Sequence, residues 1–128
     1  MTDRITPSKN AEGLPCSMVA VGCAYEIVNR KDAHLPCPLG LKRGGYLPLN
    51  DMNRYVRNYL KVEKRVDFKR GERPTLKEYL EQNSECAVIC VLGHYIFANK
   101  NTYYSFFDNS NDEIVCVWIL KEDKDDNT

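Results

Sequence analysis

Leu14-Pro-Cys-Ser-Met-Val-Ala-Val-Gly-Cys-Ala-Tyr-Glu-Ile-Val28 is the stretch whose reading decides the fold. Pro15 sits where a helix begins, and its missing N–H costs little there. From Cys16 to Tyr25 nearly every side chain is apolar or small, so the helix is expected to be buried on most sides. The pattern runs to about Asn29. Cys16 falls at the end where unpaired N–H groups and the helix dipole favour negative charge. A thiolate is stabilised in such a place, and a lowered thiol pKa is the first requirement of a cysteine nucleophile. The alternative for Cys16 is a small buried core residue.

Upstream, residues 1–13 lack periodicity and read as an extended arm, with Glu12-Gly13 as a turn into the helix. Downstream, residues 30–49 carry Pro36, Pro38 and Pro48 with Gly40, Gly44 and Gly45, the mark of a long irregular loop. This loop reads equally as a lid over a cleft or as a partner-binding surface. Asn50 or Asp51 can cap a second helix with Met52, Tyr55, Val56, Tyr59 and Leu60 on one face. Residues 62–68 alternate loosely and suggest a charged edge strand. Thr75 to Glu78 is a capping box, opening a third helix that ends near Gln82.

Cys86 to Leu92 is a continuous apolar run, expected as a central strand covered on both faces, with Gly93 as a bulge or bend. Tyr95–Ala98, Thr102–Phe107 and Ile114–Leu120 complete an antiparallel meander. Helices first and strands after make an α+β fold. The expected organisation is one domain over residues 14–120, followed by a disordered acidic tail at 121–128.

The chain has 128 residues, with Lys plus Arg and Asp plus Glu both at 18. A neutral balance gives no field for nucleic acid or an anionic membrane. No run reaches the ~18 apolar residues of a membrane helix, and the first ten residues do not read as a signal peptide. A cytoplasmic setting is the resulting expectation, with the six cysteines as reduced thiols. His34 and Cys37 form the one His-x-x-Cys spacing, a weak zinc signal, so neither metal nor cofactor is expected. The basic cluster at Lys61, Lys64, Arg65, Lys69, Arg70 and Arg73 reads as a solvated edge rather than an anion site.

His94 and Asp108 lie at equal sequence distance from Asn101. With an odd-length loop centred there they would stand directly opposite on neighbouring strands, about 4.5–5.5 Å apart at Cβ. The carboxylate would then fix the imidazole tautomer and leave the other nitrogen for a thiol. A two-residue loop would break that opposition. Cys16, His94 and Asp108 together supply nucleophile, base and orienter, and Asn10 offers an amide toward an oxyanion.

The order of these elements resembles small papain-like cysteine-protease-fold proteins of the bacteriocin-processing, C39-like kind, especially short phage and bacterial members. The matching parts are Cys16 at a helix start, Tyr25-Glu26 at its far end, Pro74-Thr75-Leu76, Gly93-His94, Tyr104 with Phe107-Asp108, and Val117-Trp118. They span about residues 10–120. The resemblance implies a Cys16–His94–Asp108 triad with Asn10 at the oxyanion, cleaving a peptide, isopeptide or related amide through a thioester. The chain departs from the family at Pro15, where Asp is frequent, at Phe107, where Trp is usual, and at Asn10, where Gln is common. A binding or regulatory module of phage or mobile-element origin, keeping the fold without turnover, is the alternative. A peptide or protein is the expected partner in the first case, and the oligomeric state is left open.

Overall fold

The apolar run at residues 86–92 forms β3 (Ala87–Val91), every residue of which is buried. A strand so uniformly apolar must be covered on both sides, and it is. Strands β1 (Asp3–Ile5), β2 (Val62–Asp67), β4 (His94–Asn99), β5 (Thr102–Tyr104) and β6 (Ile114–Leu120) join it in one six-stranded sheet of order β1-β5-β4-β3-β6-β2. Helices α1 (Cys16–Asn29) and α2 (Leu49–Tyr59) cover one face, and α3 (Leu76–Gln82) covers the other. The fold is therefore α+β. These statements rest on a computed structural model that describes residues 2–41 and 45–121; the expected disordered tail lies, beyond Lys121, outside the described residues.

Alternation along each strand sorts the core into two layers. Val88 and Cys90 of β3, Tyr95 and Phe97 of β4, and Cys116 and Trp118 of β6 face α1 and α2. Ile89 and Val91, Ile96 and Ala98, and Val117 and Ile119 face α3. Trp118 is fully buried, and its indole N–H donates to Asn53 Oδ1 of α2 at 2.8 Å. That bond satisfies the one polar atom of a large buried ring.

Three local readings need correction. The sheet is mixed, not an antiparallel meander: the arm contributes β1, which pairs parallel with β5, and β6 returns to the far side of β3. Thr102–Phe107 is a strand only as far as Tyr104, and the Ser105 N–H donating to Ile5 O at 3.1 Å is the last bond of its ladder with β1. Gly93 is neither bulge nor bend inside a strand. It holds φ +78° in a two-residue turn that joins β3 to β4, with Val91 opposite His94.

The helix ends follow ordinary chemistry. Thr75 and Glu78 make the full capping box, with Thr75 N–H donating to Glu78 Oε1 (2.9 Å) and Glu78 N–H to Thr75 Oγ1 (3.2 Å). Helix α2 starts one or two residues earlier than its apparent Asn50 or Asp51 cap, with Pro48 preceding it and Asp51 in its first turn. Helix α1 begins at Cys16 behind Pro15, with no side-chain cap.

Candidate active site

Because Pro15 offers no oxygen to cap α1, the helix's first N–H groups are left for another acceptor. The Cys16 sulfur takes that role: its own N–H and that of Ser17 are directed at it, together with the N–H of Tyr95. The strand register explains the last of these. Val91 and His94 close a two-residue hairpin, so in the ladder Tyr95 turns its N–H away from β3 toward β5. Strand β5 pairs only as far as Phe97–Tyr104 and does not reach Tyr95. The end of a short strand thus frees one amide to face the end of a helix.

These amides favour the thiolate, yet burial outweighs them and raises the Cys16 pKa above its ordinary value. The expectation of a lowered thiol pKa is thereby corrected. Desolvation also acts on His94, holding the imidazole below the usual histidine value, with the Asp112 carboxylate opposing the shift. At neutral pH the resting site therefore holds a thiol and a neutral imidazole.

Cys16 and His94 line one cleft of about 590 Å³, together with Tyr46, Tyr95, Tyr104 and Phe107. His94 is the first residue of β4, and its ring meets Phe107 edge-on with centroids 5.8 Å apart. By parity His94 belongs with Ile96 and Ala98 on the α3 side, while Tyr95 faces α1. The two groups therefore approach the cleft around the end of the strand. Among the described residues no hydrogen bond joins them. Tyr46 stacks on Tyr95, centroids 5.0 Å apart and planes 10° from parallel, and Tyr95 Oη donates to Leu47 O at 2.6 Å. The end of the 30–49 loop is thus a wall of the cleft.

Asp108 is not opposite His94. Lys100 (φ 53°) and Asn101 (φ 66°) form a two-residue loop, and the register Phe97–Tyr104, Ala98–Tyr103, Asn99–Thr102, which ends there, is offset by one residue from the one that would set Asp108 against His94. This is the loop parity that breaks the opposition. Asp108 Oδ1 instead accepts from Ser110 N–H (3.0 Å), Ser110 Oγ (2.7 Å) and Tyr103 Oη (3.1 Å), an Asx turn that lowers the carboxyl pKa.

No family model, curated protein or solved structure matches the chain.

Asn10 sits apart from the cleft. It lies in a short 3₁₀ turn, Lys9–Ala11, and lines a second hollow with His34. The polar groups facing the Cys16 sulfur are backbone amides, which sequence reading missed because strand length, not residue type, exposes the one on Tyr95. The aromatic wall at Tyr46 was equally hidden inside a loop. Cys37 donates its thiol to Leu41 O, and among the described residues no group of three or more His, Cys, Asp or Glu could hold a metal ion. No helix among them is long and apolar enough to cross a membrane. Within the basic cluster, Arg65 is engaged by Asp67 at 2.9 Å and lies over the Trp118 ring.

Proposed function

We propose that this chain is a thiol-dependent acyl hydrolase or acyl-transferase of papain-like architecture, with Cys16 as nucleophile and His94 as base. The observation that carries the proposal is the shared cleft: a cysteine in the amide cup of a helix N-terminus and a histidine at a strand end line the same aromatic-walled space. In the reaction, neutral His94 accepts the Cys16 proton as sulfur attacks the substrate carbonyl. The tetrahedral oxygen draws on the Cys16 and Tyr95 N–H groups. Imidazolium His94 then protonates the leaving amine, and water clears the thioester with His94 again as base. Catalytic hydrogen bonds are often long in a free enzyme and tighten with substrate, which suits a pair that shares a cleft without a bond. Hydrolysis, deamidation and acyl transfer use these same groups.

The bonds that hold Asp108 away from His94, and the raised thiol, favour a second reading: a peptide-binding cleft without turnover. A panel of fluorogenic peptidyl amides separates the two. The hydrolase reading expects release by the wild type and none by Cys16→Ala or His94→Ala, each checked by circular dichroism for an intact fold. Binding of the panel without release, or release that survives Cys16→Ala, overturns it.

A further inference from the structure

A second hollow of about 530 Å³ runs along α1 beside the cleft, and Leu14 and Val19 line both. Its helix wall is Met18, Gly22, Cys23 and Glu26, one ridge of α1, and residues 32–35 close the other side. The cleft is lined by aromatic rings with a single acidic residue, Glu12, whereas the hollow contains the carboxylates of Glu26 and Asp32 beside His34 and, among the described residues, no lysine or arginine. One Glu26 oxygen accepts weakly from Ala33 N–H at 3.4 Å, and among the described residues the other accepts no hydrogen bond. Burial pushes the nearby Cys23 thiol up to about 11, and the Glu26 carboxylate adds to the shift.

The cleft has apolar surface to cover as well. Leu14, Tyr46 and Phe107 are 43 %, 45 % and 63 % exposed at its mouth, an apolar rim of the kind that marks a ligand groove.

We propose that the cleft and the hollow are two subsites of one groove for an extended peptide, an apolar side chain lying at Cys16 and His94 and a lysine or arginine lying over Glu26 and Asp32. Geometry sets the spacing. Cys16 and Glu26 are ten helix positions apart, about 15 Å at 1.5 Å per residue, which an extended peptide covers in roughly four or five residues. The inference names the substrate class for the function proposed above, but the groove can be tested without turnover.

The experiment is fluorescence anisotropy on Cys16→Ala protein with fluorescein-labelled nonapeptides. Each carries one Phe and, four residues away on either side, Lys, Glu or Ala. The Lys peptide in one orientation is expected to bind about five- to tenfold more tightly than the Ala peptide, the weight of ion pairing with two exposed carboxylates, and the Glu peptide more weakly still. In Cys16→Ala protein that also carries Glu26→Gln and Asp32→Asn, the Lys preference should vanish while the Ala peptide's affinity stays the same. Equal binding of Lys, Ala and Glu peptides overturns the groove, as does a Lys preference that survives the added substitutions. Charge-selective binding without turnover by the wild type would sink the hydrolase reading alone. Turnover without charge selectivity would sink the groove alone.

Discussion

Cys16 is buried at an amide-lined helix end, and the balance of those two effects makes its reactivity a sharp test. Were the amides dominant, the thiol would ionise early and alkylate readily near pH 6, as in a preformed thiolate–imidazolium pair. Burial is the larger effect here, and it raises the pKa. An ordinary thiol with pKa ~8.5 is about 3 % ionised at pH 7 and about 0.3 % at pH 6, so Cys16 should fall below both figures. Iodoacetamide labelling, resolved by residue with mass spectrometry, should show Cys16 slow at neutral pH. It should rise about tenfold per pH unit up to at least pH ~8.5. His94→Ala should leave that free-protein profile unchanged, since no hydrogen bond joins the two groups. Substrate turnover should follow a different curve. Desolvation disfavours the imidazolium, so neutral His94 persists as pH falls to its depressed pKa, and the acid limb of turnover should lie below ~6.5. A plateau of Cys16 labelling near pH 6 that disappears in His94→Ala would refute this account of the resting site.

Asp108→Ala should remove the acceptor for Tyr103 and Ser110 and loosen the 105–112 loop, while altering turnover far less than His94→Ala; equal losses would place Asp108 in the chemistry after all. Thr75→Ala removes the acceptor for Glu78 N–H and should cost about 1 kcal/mol, read as a Tm lower by roughly 3–5 °C. Gly22→Ala should do the opposite. A Cβ there would meet only Ala33 Cβ at 3.7 Å, ordinary contact, so relief of the mid-helix glycine should stabilise the protein by about 0.5–1 kcal/mol in urea unfolding. Destabilisation would mean that residues 32–35 pack on α1 more tightly than this geometry allows.

Elements fixed by strong local chemistry were legible in the sequence. The apolar run at residues 86–92 declared a doubly covered strand, and the Thr75–Glu78 pair declared α3 to the residue. Helix α1 was legible from Pro15 and the nearly continuous apolar run from Cys16 to Tyr25, but it is fully buried only along the stripe Ser17, Ala20, Val21 and Ala24 and not on most sides as that run suggested. Where the reading went astray, the deciding information was one of parity or of distant pairing. Lys100 and Asn101 both take left-handed φ values, and a lysine gives little notice of that, so the loop read as an odd number of residues centred on Asn101 instead of the two residues Lys100 and Asn101. That change of parity ends the opposition of His94 and Asp108, since the ladder pairs Asn99 with Thr102 and Phe97 with Tyr104. The strand β1 was unreadable for another reason. Asp3-Arg-Ile5 is exposed and has no alternation to betray it, and it becomes a strand only because β5 offers a free edge. The same shortness of β5 frees the Tyr95 amide. The sequence paired Cys16 with His94, and the two do line one cleft; the backbone that surrounds them could not be read.

The central claim is that Cys16 forms a covalent bond to an acyl group with help from His94. It is tested most directly by intact-mass spectrometry of the protein quenched in acid after incubation with an activated peptidyl thioester. The account predicts one acyl adduct per chain, mapped to Cys16, released by hydroxylamine, and formed far more slowly in His94→Ala. Absence of an adduct, or acylation spread over other cysteines and indifferent to His94, would contradict it.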